Sequence, residues 1–143
     1  FAAQESIAVA TLIFGGVLER LPSLRIGFAH GGGSFPGTFG RIAHGFDVRP
    51  DLVAVNNPVA PREYLGRFYV DSLVHEERAL RLLLDLVGPD RVALGSDYPF
   101  PLGEDRPGSL IDAVGLPPEV RARLLGGTAL DFLARTASDF LDG

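Results

Sequence analysis

The chain has 143 residues, 46% of them hydrophobic, which suits one domain with a sizeable core and falls short of a whole eight-stranded α/β barrel of roughly 250 residues. A net charge of −5, with 13 basic residues scattered among 18 acidic ones, leaves neither a nucleic-acid footprint nor a polybasic membrane patch. The absence of cysteine removes disulfides, thiolate metal sites and a cysteine nucleophile, so His, Asp and Glu remain as the strong metal ligands. With no methionine and a start at Phe1, the sequence is expected to be a piece of a longer protein.

The spacing of Ile7, Ala10, Thr11, Phe14, Val17 and Leu18 predicts an amphipathic helix over residues 3–20, ended by Pro22. Its apolar stretch, residues 7–18, is too short to span a bilayer, and Gly15 and Gly16 lower its helix propensity. Residues 24–30 are expected as a short strand that runs into Gly31, Gly32 and Gly33, with His30 at its terminus. A second helix is expected from Ser34, with Pro36 in its first turn and Phe39, Ile42, Ala43 and Phe46 on one face. Arg41, His44 and Arg49 lie on or near it.

Asn56, Asn57, Pro58 and Pro61 mark an irregular connection. Residues 67–70 then read as a second strand, followed directly by Asp71. Residues 76–87 form a strongly periodic helix closed by Gly88 and Pro89. Val92, Ala93 and Leu94 run without polar alternation, as in a parallel strand covered on both faces. Gly95, Pro99 and Pro101 forbid helical continuation and present Asp97 just past the strand. Helical segments are expected at 110–113, 118–125 and 128–134.

Alternation of helices and strands implies an α/β fold with parallel strands joined by crossovers, and in such sheets ligands sit at the carboxyl ends of strands. All three expected strands end in a group able to move protons or bind metal: His30, Asp71 and Asp97. An imidazole beside glycines can act as acid, base or ligand, or can simply hydrogen-bond the backbone. Asp97 can ligate a metal or shape the turn before Pro99, and Asp71 can bind loop backbone instead of doing chemistry. Arg41 and Arg49 can clamp a carboxylate in bidentate fashion or lie solvated, and His44 and His75 fit ordinary partly buried histidines. The HGGG string also occurs in esterase oxyanion holes, but no G-x-S-x-G elbow accompanies it.

Taken in order, AHGGGSFPGTFGRIAHGF at 29–46, RPDL at 49–52, FYVDSLVH at 68–75, LGSDYPFPLGE at 94–104 and GGTALDFL at 126–133 resemble the aminocarboxymuconate-semialdehyde decarboxylase family of the amidohydrolase superfamily. The resemblance implies a distorted TIM (β/α)8 barrel of metal-dependent hydrolase type. Residues 1–143 would be its C-terminal part, with the sixth, seventh and eighth strands ending at His30, Asp71 and Asp97.

It further implies a zinc-dependent decarboxylase, free of organic cofactors, acting on 2-amino-3-carboxymuconate 6-semialdehyde from tryptophan breakdown by the kynurenine pathway. Asp97 matches the metal ligand at the end of the last strand, and His30 the acid/base beside a metal-bound water. Arg41 matches an arginine that reaches a small-molecule carboxylate in the neighbouring subunit of a homodimer. The implied hydroxide adds to the unsaturated substrate, and His30 returns a proton as CO2 leaves. A cytoplasmic location is expected.

The family's H-x-H pair, an early arginine and a further histidine ligand would lie upstream of Phe1. A lone Asp cannot hold a catalytic zinc, which needs about three protein ligands, so the isolated piece is expected to be inactive. Another decarboxylase, hydrolase or hydratase of the superfamily, and a non-catalytic remnant, are the remaining alternatives.

Overall fold

Three short parallel strands organise the chain: β1 (Gly27–Phe28), β2 (Tyr69–Asp71) and β3 (Val92–Ala93), hydrogen-bonded in the order β1-β2-β3. The computed structural model describes residues 1–141. α1 (Ala2–Phe14) and α2 (Val17–Arg20) precede β1, while α3 (Phe35–Val48) and α4 (Pro50–Val53) cross from β1 to β2. α5 (Glu77–Val87) crosses from β2 to β3. After β3 come α6 (Ser109–Ala113), α7 (Pro118–Ala122), α8 (Thr128–Leu133) and α9 (Ser138–Leu141), with a π turn, Arg123–Gly127, joining α7 to α8. Among the described residues no helix is long and apolar enough to cross a membrane.

The pleat sorts the strand residues. Phe28, Val70 and Val92 are in register on one face and belong to a core with Phe35, Phe39, Phe68, Leu80 and Leu83. Phe68 is its hinge, edge-on to both Phe28 and Phe35 at centroid distances of 5.6 and 5.8 Å. α5 meets this core along Leu80, Leu83 and Val87, and its first turn is capped by the Glu76 carboxylate, which accepts the Ala79 N–H at 3.0 Å.

The opposite face carries Gly27, Tyr69, Asp71 and Ala93, and Phe132 of α8 packs on Tyr69 with ring centroids 5.1 Å apart. Here the expectation of a strand covered on both faces needs correction. Val92 is fully buried, whereas Ala93 lines an open cavity with Tyr69, Asp71 and Phe132.

The first helix differs too. Residues 3–20 are two helices, because Gly16 adopts a left-handed φ of 66° that an α-helix does not tolerate. The break changes the buried face: Val9 and Ile13 are buried while Ile7 is 66% exposed. Val17 and Leu18 belong to the second helix, so counting them in one period with Ile7 rotated the predicted stripe. Buried Asn57 seals the break by donating from Nδ2 to the Ile13 carbonyl at 2.7 Å and to the Tyr64 hydroxyl at 2.8 Å.

Candidate active site

All three strands deliver their loops to the same end of the sheet, and Asp71 binds those loops together. As the last residue of β2, it accepts the N–H of Gly31 at 2.9 Å and of Leu73 at 3.1 Å through Oδ1. The loop after β3 closes on the same carboxylate: a Cβ at Gly95 would lie 2.8 Å from it, and the Gly95 N–H reaches Ser72 Oγ at 3.3 Å. Of the two roles open to Asp71, the structure bears out loop binding.

β1 stops two residues before His30, which starts a single 3-10 turn, His30–Gly32, rather than ending a strand. Its φ of 52° and that of Asp97, 55°, lie in the left-handed region, where a non-glycine residue costs roughly 1–2 kcal/mol. His75, at φ 55°, is a third. These three strained residues border one cavity of about 390 Å³, which Glu5, Leu73 and Leu102 also line. Strain held by the surrounding structure concentrates where side-chain direction matters.

The His30 ring is held on both sides. Its Nδ1 hydrogen-bonds Oε1 of Glu5 on α1, and its Nε2 lies 3.7 Å from Asp97 Oδ1. The hydrogen bond to Glu5 raises the imidazole pKa above its ordinary value of 6.5, and the negative charges of Glu5, Asp71 and Asp97 add to the effect against the opposing pull of burial. An imidazole so placed can carry a proton near neutral pH and exchange it with a molecule in the cavity.

Asp97 supplies a carboxylate oxygen suited to a divalent metal. Among the described residues, however, no three His, Asp or Glu side chains converge as a cage. A catalytic ion needs about three protein ligands, so these residues alone do not fit a complete metal centre.

The other candidates lie apart. Arg41 and His44 are exposed on α3 and do not line the His30 cavity. Arg49 is exposed and forks onto Asp51 with contacts of 2.9 and 2.8 Å. Glu5 is the residue the sequence analysis missed. Nothing in AAQESIA marks it, since its partner lies 25 positions away; only the tethering of α1 to the glycine loop brings the pair together.

Comparison with known proteins gives this geometry a lineage. The sequence profile of the amidohydrolase family matches residues 1–135. The chain is 56% identical over 140 residues to a 2-amino-3-carboxymuconate-6-semialdehyde decarboxylase of Dictyostelium discoideum, covering 97% of this chain and 39% of that protein. In structure it is similar to 5-carboxyvanillate decarboxylase of Sphingomonas paucimobilis, with a TM-score of 0.82 and 25% identity over 95% of this chain and 41% of the other. The 5-carboxyvanillate decarboxylase of Novosphingobium aromaticivorans, solved with manganese and 4-hydroxy-3-methoxy-5-nitrobenzoic acid, shares the fold at a TM-score of 0.79 and 22% identity, over 94% of this chain and 40% of its own.

The chain therefore spans about two fifths of the length of each of these three proteins, and its parallel strands with their crossover helices form part of a TIM barrel of the metal-dependent hydrolase type. With the family profile aligned over nearly its whole length, the chain belongs to the amidohydrolase family.

Proposed function

We propose that residues 1–143 are the C-terminal part of a single barrel domain whose complete form decarboxylates 2-amino-3-carboxymuconate 6-semialdehyde without an organic cofactor, in the cytoplasm. The observation that carries this is the imidazole of His30, oriented by Glu5 and set beside Asp97 at the strand ends, in a chain that closely resembles the Dictyostelium decarboxylase. In this reading His30 takes a proton from a water molecule, whose hydroxide adds to the unsaturated substrate, and delivers that proton to the carbon bearing the carboxylate. The bond to the carboxylate carbon then breaks, and its electron pair expels the hydroxide as CO2 leaves.

Asp97 gives one ligand to a divalent metal, zinc in this proposal, whose other ligands come from outside the described residues. Arg41, exposed and away from its own chain's cavity, binds the substrate carboxylate in the neighbouring subunit of a homodimer. The fold likeness to 5-carboxyvanillate decarboxylase favours a second reading, a decarboxylase of an aromatic acid.

Turnover of both substrate types by the complete protein and its His30→Ala variant tests the assignment. Loss of general acid/base catalysis should cut the rate by about 10²–10⁴-fold while the metal stays bound. A near-normal rate in His30→Ala would refute the role, and turnover of the aromatic acid alone would replace the substrate.

A further inference from the structure

The carboxylate of Glu5 is poorly provided for as a purely structural group. Oε1 contacts His30, but Oε2 is buried and has no hydrogen-bond partner among the described residues. A buried carboxylate oxygen without a donor is costly and is retained only where something else requires it. The surrounding chain nevertheless fixes Glu5 against the glycine loop. The Ala2 carbonyl accepts the Ser34 N–H at 3.0 Å and the Ser34 hydroxyl at 3.2 Å, pinning the start of α1 to the segment that follows His30. Gly33, at φ +64°, permits this approach, since a Cβ there would overlap the Ala2 backbone and come within 2.7 Å of Glu5 Oε2.

We propose that Glu5 is the positioning residue of this site: its carboxylate accepts the Nδ1–H of His30, fixing the ring's direction and tautomer so that Nε2, beside Asp97, is the nitrogen that exchanges protons. Asp97 alone cannot do this, because at 3.7 Å from Nε2 it leaves the ring free to rotate about its Cβ–Cγ bond. The inference rests on the acid/base reading of His30. It adds a residue whose removal alters the orientation of the base and leaves the metal ligand untouched.

Glu5→Gln and Glu5→Leu in the complete enzyme test it by steady-state kinetics, with metal content and circular dichroism as controls. An amide can donate to Nδ1 and stabilise the wrong tautomer, and leucine offers no acceptor. Both variants are expected to lose at least about tenfold in kcat, with KM within about twofold, because an orienting group acts in the transition state more than in substrate binding. In the wild-type enzyme, ¹⁵N-histidine NMR should find Nδ1 of His30 protonated. That measurement stands even if both variants fail to fold.

A kcat within twofold of wild type in both folded variants, or an unprotonated Nδ1 in wild type, overturns the proposal. If His30→Ala itself retains activity, the functional reading fails instead, which separates the two.

Discussion

His30 is held in place by contacts from outside its own turn: Glu5 on α1 takes Nδ1, Asp71 takes the N–H of Gly31, and Asp97 stands beyond Nε2. These contacts dictate its response to pH. In the metal-free protein the folded-state pKa lies above 6.5, with the Glu5 hydrogen bond as the leading cause. A folded pKa raised above the unfolded one means that the pair's contribution to stability is complete below the unfolded value and fades as pH rises through the folded value. The stability difference between wild type and Glu5→Gln, measured by urea denaturation, should therefore be larger at about pH 5.5 than at about pH 8.5, both above the carboxylate range. An equal difference at the two values would show that Glu5 does not set the protonation of His30.

At the scale of elements, the break between α1 and α2 shows why the join matters. Asn57 donates to Ile13 and Tyr64, accepts the Val59 N–H at 3.1 Å, and so ties the connection after α4 to the end of α1. Tyr64 continues the chain to Glu19 on α2 with a 3.0 Å bond. Asn57→Ala removes three hydrogen bonds and leaves the Val59 N–H without its acceptor, while the Ile13 carbonyl keeps the Gly16 N–H and Tyr64 keeps Glu19, so it should cost about 1–3 kcal/mol, read from the urea midpoint. An unchanged midpoint would mean that water replaces the side chain.

These elements also show what could be read beforehand. α5 was legible because its period is uninterrupted and its end is marked by Gly88, and the position of Asp97 just past β3 was legible because the apolar run stops at Gly95. The stripe on α1 was misplaced because a left-handed Gly16 resets the phase, which spacing alone does not reveal. Glu5 was invisible because its role exists only in tertiary contact, and Asp71's choice between chemistry and backbone binding depended on where the Gly31 N–H came to lie.

For the molecule as a whole, one face of the sheet is closed by α3 and α5, and the other is partly open around Tyr69, Asp71 and Ala93. The strands β1 and β3 stand at the two sides of the sheet, where a barrel would continue on either hand. In the proposed assignment Asp97 gives one metal ligand from this sheet, the rest of the barrel completes the cage, and His30 serves protons and not the metal.

The measurement that tests this division most directly is the metal content of the purified complete protein, compared with that of Asp97→Ala and His30→Ala folded to the same extent by circular dichroism. Asp97→Ala is expected to lose the divalent ion, by a factor of about ten or more in affinity as one of about three protein ligands disappears, whereas His30→Ala keeps it. Full metal retention in Asp97→Ala, or loss in His30→Ala, would contradict it.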